Sequence, residues 1–259
     1  MKLREYHRAK SINEVVLLIE KSKKNIILGG THWLKMGKGN YNTGIDISAL
    51  GLDKIEETQT SIEIGAYASL REVENNEPLR THARILSEAL ASIVGVQFRN
   101  TARIGASVFS KFGFSDVTAA LLTMDTWVEI NGKERVPLES YQKMPRQRHF
   151  LTRIIIVKEK LDYEYHTMRQ SKTSLPYMIL ATSLDEDNQW RISVGARPAK
   201  AILAQQTMAY LNEGGRDIEV AIEKMIEETS MEDNIFASKD YREYLAGVFL
   251  KRGVTRLWK

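Results

Sequence analysis

The sequence predicts an α+β protein. Strand-like and helix-like segments follow one another without strict alternation, no internal repeat is visible, and the composition is that of an ordinary globular chain. With 43% hydrophobic and 27% charged residues, the 259-residue chain can bury a sizeable core. At ~100–200 residues per domain it makes two domains or one large one. A charged stretch over residues 158–162, after an apolar strand, marks the boundary.

The elements can be read in order. Ser11-Ile12-Asn13-Glu14 has the S-x-x-E form of a capping box, and Val15, Val16, Leu18 and Ile19 follow at helical spacing, predicting a helix over 11–22. Residues 25–28 form a short apolar strand that stops at Gly29-Gly30; 31–36 reads as helix and 37–44 as loop. Strands are expected at 45–47 and 61–66, and helices at 69–75 and 81–94, the latter with Ile85, Leu86, Ala89, Leu90 and Ile93 on one face. Residues 99–115 are rich in small side chains and poor in helix signals. They lead into an apolar helix over 116–124 that Ser115 or Asp116 can cap. Asn131-Gly132 between two strand-like runs predicts a hairpin, and 154–157 a buried strand. A second hairpin is expected over 177–195, then helices at 199–211 and 217–227 and a last one beginning at Ser238.

Several classes of chemistry are excluded. With no cysteine, the chain can form no disulfide, thiolate nucleophile or cysteine-held iron–sulfur cluster. Its five histidines show no H-x-x-x-H spacing, so no metal site is expected, and no G-x-S-x-G elbow appears. No run approaches the ~20 apolar residues of a membrane helix. The first residues, Met1-Lys2-Leu3-Arg4-Glu5, lead into polar sequence, so a cytoplasmic protein is expected. The net charge of +4 comes from interspersed groups with small basic clusters at 21–24 and 145–149, a pattern of solvated surface rather than of nucleic-acid binding.

Familiar phosphate motifs fail. A Walker loop ending at Lys38 needs glycine where His32 stands, and a Rossmann turn from Gly37 needs glycine at Asn42. Two small-residue turns remain: Leu28-Gly29-Gly30-Thr31-His32-Trp33, a strand breaking into a helix, and Thr101-Ala102-Arg103-Ile104-Gly105-Ala106-Ser107. Each offers backbone donors able to approach an anion closely. Facing each other they would suit a diphosphate; taken singly, each reads more readily as a structural turn than as a ligand site.

At these turns the sequence resembles the FAD-binding (medium) subunits of the molybdenum hydroxylases, the family that includes xanthine dehydrogenase. Gly29-Gly30-Thr31-His32 is similar to its first Gly-Gly turn. Arg103-Ile104-Gly105-Ala106-Ser107, followed by Ser115-Asp116, resembles its T-I-G-G-N motif and S-D pair. Ile64-Gly65-Ala66-Tyr67, Val96 to Asn100, Tyr163 to Ser171, and Tyr241-Arg242 to Arg252 resemble further segments in the same order.

The resemblance implies an FAD-binding domain over 1–160, with subdomains 1–55 and 56–160, and a C-terminal α+β domain over 161–259 with a three-stranded sheet. It implies that Leu28 to Trp33 and Ile104 to Ser107 hold the FAD diphosphate through backbone N–H groups, with hydroxyls from Thr31 and Ser107. Asp116, preceded by Ser115, would accept hydrogen bonds from the ribose. Phe150 or Leu151 would pack on the isoalloxazine, with plain core packing as the alternative. Lys172 stands where many relatives carry an acidic residue and would favour reduced flavin, with an exposed surface lysine as the favoured alternative. Ala106 and Ser107 replace glycine and asparagine: the alanine methyl is tolerable at φ below zero but could crowd the phosphate, and serine is a shorter donor. No catalytic acid or base is implied. The implied partners are a large molybdopterin-type subunit and a small iron–sulfur subunit, with NAD or another electron acceptor. The alternatives are a flavin subunit of a different or free-standing NAD(P)H oxidoreductase, or a scaffold subunit that has lost FAD.

Overall fold

A computed structural model describes residues 1–145 and 148–258; Arg146 and Gln147, inside the basic cluster 145–149, lie outside the described residues. The chain begins with β1 (Lys2–Arg8), α1 (Ile12–Lys21), β2 (Ile26–Leu28), α2 (His32–Met36) and β3 (Asn40–Asp46). The three strands run parallel in the order β1-β3-β2. Helix α1 starts where expected because the Ser11 hydroxyl accepts the Glu14 amide at 3.2 Å. The Glu14 carboxylate reaches back to the Lys10 amide at 2.6 Å. Val15 and Ile19, one turn apart, are buried with Ala9, Ile45 and Ile47.

Two features of this unit depart from the sequence reading. Residues 40–44, expected as loop, open strand β3, which is hydrogen-bonded to a neighbour on each side. Backbone pairing holds a segment there that has no apolar alternation. Strand β1 carries no sequence signal either, since most of its side chains are exposed.

The second unit contains β4 (Ile55–Glu57), β5 (Ser61–Gly65), α3 (Leu70–Asn75), α4 (Glu77–His82), α5 (Arg84–Ala91), α6 (Val96–Thr101), α7 (Ile104–Phe109), α8 (Asp116–Leu122), β6 (Thr126–Ile130), β7 (Glu134–Pro137), α9 (Leu138–Lys143) and β8 (Leu151–Val157). Its five strands are antiparallel in the order β4-β5-β8-β6-β7. The β6–β7 hairpin turns at Asn131 and Gly132, both at positive φ as a tight hairpin turn requires. The helix expected over 81–94 is divided at Ala83, where φ is −138°.

Residues 99–115, expected to be poor in helix, carry the end of α6 and all of α7. Tertiary contacts override weak propensity there. Buried Arg99 donates from Nε to the Glu74 carboxylate on α3 at 2.8 Å and from Nη1 to the Ile93 carbonyl at 2.8 Å.

The third unit holds β9 (Leu161–Arg169), β10 (Pro176–Asp185), β11 (Trp190–Gly195), β12 (Ile202–Leu203), α10 (Gln205–Asn212), α11 (Ile218–Glu228) and α12 (Lys239–Leu257). Three long antiparallel strands are extended by the two-residue β12, in the order β12-β11-β10-β9. Ile202 and Leu203 pair with Val194 and Ser193, so the helix expected from 199 starts only at Gln205. Ser238 caps α12, whose Leu245, Phe249 and Leu250 pack into one core with Met178, Leu180 and Val194.

Strand β8 is central to the five-stranded sheet, and Ile154 is fully buried there between β5 and β6. Ile154→Ala should therefore cost about 2–5 kcal/mol of stability. Urea unfolding checks this, and a loss near zero would contradict the central position.

Candidate cofactor cleft

The three parallel strands end beside one concavity. Leu28 and Asp46 are the last residues of β2 and β3, and Tyr6 lies near the end of β1. With Gly30, Thr31, Ser48, Tyr67, Thr101 and Arg103 they line a cleft of about 350 Å³. Carboxyl ends of parallel strands are where open sheets place ligands, because the loops leaving them are free to diverge.

The first turn is built around a close backbone approach. Gly30 has φ +65°, and a Cβ there would lie 2.6 Å from the Thr101 carbonyl oxygen and 3.2 Å from Ala102 Cα. No other residue fits without displacing one of the two segments. Thr31, at φ +58°, closes its amide onto the Gly29 carbonyl at 2.7 Å. It provides no side-chain cap to α2, and the amides of His32, Trp33 and Leu34 find no acceptor among the described residues. His32 secures the join: its Nε2 lies 2.8 Å from the Thr101 hydroxyl and its ring 4.3 Å from that of Phe98. Burial, helped by Lys35, lowers the His32 pKa and keeps the imidazole neutral at pH 7.

The second segment is not the open turn that the sequence suggests. It is the end of α6, a link at Ala102-Arg103 and the first turn of α7. The amides of Ile104 and Gly105 donate to Ala68 (3.0 Å) and Ala66 (2.9 Å) carbonyls and are not free for a ligand. Gly105 is required because a Cβ there would lie 2.5 Å from that of Ala66. Ser107 donates its amide to the Arg103 carbonyl and its hydroxyl points back to the same oxygen. The amides of Arg103 and Ala106 have no acceptor among the described residues. Ala106 is helical and exposed, so its methyl brings no backbone strain.

The cleft's charged groups were not among the residues nominated from sequence. Arg103 donates from Nη1 to the Tyr67 carbonyl at 3.0 Å, and its guanidinium lies 4.2 Å from the centre of the Tyr67 ring. Asp46 accepts the Tyr6 hydroxyl and the Ser48 amide. Burial pushes the Asp46 carboxyl up, but these hydrogen bonds more than offset it and leave its pKa lowered. The signal available in sequence was Arg103 at the threonine position of the T-I-G-G-N-like motif. Tyr6 and Asp46 meet only through the parallel pairing of β1 with β3.

The other nominated residues lie elsewhere. Trp33 is half-exposed, its ring 6.1 Å from that of Phe114 and 6.4 Å from that of Phe112. Ser115 caps α8 by accepting the Thr118 amide at 3.2 Å. Asp116 is buried and bound by the Arg169 guanidinium and the Tyr165 hydroxyl, both from β9. Burial pushes its carboxyl up, and Arg169 and Tyr165 oppose that rise. Phe150 is buried with Val15, Ile19 and Ile45, and Leu151 joins the core of the five-stranded sheet. Both therefore take the core-packing alternative, and neither lines the cleft. Lys172 is exposed in the turn between β9 and β10.

A small parallel sheet whose strands end beside a cleft, together with two antiparallel sheets, places the protein in the α+β class. Residues 1–158 match the family described as the FAD binding domain in molybdopterin dehydrogenase, and the chain belongs to that family. Its first 158 residues are thus an FAD-binding domain of the molybdopterin dehydrogenase type.

Among curated relatives, nicotinate dehydrogenase FAD-subunit of Eubacterium barkeri is 28% identical over 151 residues, covering 54% of this chain and 51% of that one. 6-Hydroxypseudooxynicotine dehydrogenase complex subunit alpha of Paenarthrobacter nicotinovorans is 29% identical over 99 residues, covering 37% and 33%. The matched stretches thus span about half and about a third of these relatives' own lengths.

Among solved structures, carbon monoxide dehydrogenase from Hydrogenophaga pseudoflava superposes with a TM-score of 0.91 at 20% identity, over 100% of this chain and 98% of that one. Quinoline 2-oxidoreductase from Pseudomonas putida 86 gives 0.86 at 19% identity, over 97% and 95%. At such identities the likeness is one of fold. No helix among the described residues is long and apolar enough to cross a membrane.

Two outcomes follow from the geometry. Gly30→Ala should cost about 1–3 kcal/mol through strain at positive φ and weaken FAD binding by about tenfold or more. Titration of the folded variant measures the second effect. Arg169→Met should cost about 3–5 kcal/mol, because it leaves the buried Asp116 carboxylate without its cation. Denaturant unfolding reads that loss, and wild-type stability would contradict the pairing.

Proposed function

We propose that the chain is the electron-transfer subunit of a xanthine dehydrogenase-like complex. In this reading it takes electrons from iron–sulfur clusters on a small partner, which receive them from a large molybdopterin-type partner, and delivers them to NAD or another acceptor. The observation that carries the proposal is the cleft formed where the Gly30 turn meets Thr101 and Arg103. The absence of cysteine fits this division of labour, because any cluster must then be held outside these 259 residues.

The residues fit the diphosphate end of FAD. Gly30 leaves room for a close backbone approach, the amides of His32, Trp33 and Leu34 have no acceptor among the described residues, and Arg103 supplies a cation. Asp46 offers a carboxylate to sugar or ribityl hydroxyls. Asp116, held by Arg169 and Tyr165, serves to tie α8 to β9 rather than to accept a ribose hydroxyl. Bound FAD supplies the redox chemistry, while the chain supplies position and electrostatics. The reading takes 1–160 as the FAD domain, with subdomains 1–55 and 56–160, and 161–259 as the C-terminal domain. It places the complex in the cytoplasm.

Affinity purification of the native assembly tests the proposal. The expected result is a yellow complex absorbing near ~450 nm, with a cysteine-rich small chain, a large chain and molybdenum, that reduces NAD or another acceptor. A flavin-loaded chain that purifies without partners would favour a free-standing enzyme. A chain that takes up no flavin would contradict the reading.

A further inference from the structure

We propose that Arg103 is the anion-recognising side chain of the cleft and forms an ionic contact with the diphosphate of the cofactor. It would thereby select the dinucleotide over phosphate-free flavin. This rests on the cofactor reading above and goes beyond the backbone contacts that the motif resemblance implies, since Arg103 stands at that motif's threonine position.

Four observations converge on Arg103. It lines the cleft with Gly30, Thr31 and Thr101, where two chain segments meet most closely. Among the described residues it has no carboxylate within ion-pair distance, unlike the buried or half-buried Arg99, Arg153, Arg169 and Arg191. Asp46, the one carboxylate lining the cleft, is engaged by Tyr6 and Ser48 instead. The guanidinium is nevertheless held in place, by Nη1 on the Tyr67 carbonyl at 3.0 Å and by the Tyr67 ring at 4.2 Å. Finally, its Nε is buried and has no hydrogen-bond partner among the described residues.

A partly desolvated cation with unsatisfied donors is unfavourable unless an anion completes it. Tyr67 lowers the cost of holding the charge but takes only one of five N–H donors, since a ring face accepts no conventional hydrogen bond. The remaining edge of the guanidinium is the planar donor set that suits two phosphate oxygens. A diphosphate satisfies this requirement, whereas the uncharged isoalloxazine and ribityl groups do not.

Titration of the full chain with FAD, riboflavin and inorganic pyrophosphate at two salt concentrations tests the proposal in wild type, Arg103→Met and Arg103→Lys. Met keeps much of the apolar stem over Tyr67, and Lys keeps the charge while losing the fork. The Met variant should bind FAD about 10- to 100-fold more weakly, with reduced salt dependence and riboflavin affinity unchanged. The Lys variant should fall between the two. Pyrophosphate should compete with FAD in wild type and much less in the Met variant. Wild-type FAD affinity and salt dependence in the Met variant would overturn the role of Arg103 and leave the cofactor reading standing. Failure of wild type itself to bind FAD would overturn both. Should the Met variant not fold, the Lys variant decides: undiminished FAD affinity there, with pyrophosphate no longer competing, would overturn the proposal.

Discussion

The cleft exists because the backbone of Gly30 lies directly against that of Thr101 and Ala102. A side chain of any size at Gly30 would meet the Thr101 carbonyl at 2.6 Å, and the φ of +65° is one that glycine adopts without strain. This approach brings the end of the three-stranded sheet to the link between α6 and α7, and the His32–Thr101 hydrogen bond fixes it. The rest of the second wall follows from that placement. Gly105 passes Ala66 closely enough for the first amides of α7 to bond the carbonyls of Ala66 and Ala68. Arg103, between the two helices, is thereby set over Tyr67. The glycines therefore act mainly by letting chain meet chain, and the ligand surface is what those contacts leave open.

A second constraint joins the C-terminal sheet to this arrangement. Asp116 opens α8 and is gripped by Tyr165 and Arg169 of β9, while the Ser183 hydroxyl on β10 donates to the Thr123 carbonyl just after α8, at 2.6 Å. Tyr163 adds a hydrogen bond to Glu88 at 3.1 Å. Buried charge is weak evidence for net stability, because desolvation offsets much of the attraction. Its value here is specificity of position, since a carboxylate so deep in the protein tolerates only the geometry in which its cation is present. An S-D pair in the sequence is compatible with a ligand role or an internal one. The choice lies with residues about fifty positions downstream, which the local sequence does not contain.

Elements whose signals are local were legible in the sequence. The Ser11 and Ser238 caps, the Asn131-Gly132 turn and the apolar face of α1 are each decided within a few residues. Elements decided by tertiary partners were not. Strand β3 opens with Asn-Tyr-Asn-Thr-Gly and is held by a strand on either side, and α6 is pinned by Arg99 reaching Glu74. The same divide runs through the site. Motif order located both walls of the cleft, including Gly30 and Thr31. Motif content misassigned the donors, because the Ile104 and Gly105 amides are taken by a strand end remote in sequence. Phe150, which the resemblance set against the isoalloxazine, faces the core under α1, and nothing local distinguishes the two directions for an aromatic beside a strand start.

What the cleft offers a ligand is asymmetric, and the asymmetry has a physical consequence. Arg103 and the free amides of His32, Trp33 and Leu34 provide donors and positive charge. Asp46, at the end of β3 and bonded to Tyr6, offers the opposite character on another wall. A purely anionic ligand would be attracted by one group and repelled by the other, while a neutral one would leave Arg103 uncompensated. A molecule carrying a diphosphate beside several hydroxyls meets both demands in a single orientation, because hydroxyls donate to carboxylates and phosphates accept from guanidinium groups. Reversing such a molecule would put phosphate against carboxylate, so the electrostatics that favour binding also set its direction. That directional demand distinguishes this cleft from a generic anion hole. Within the protein Arg103 is bonded to Tyr67, and Asp46 to Tyr6 and Ser48, so neither neutralises the other.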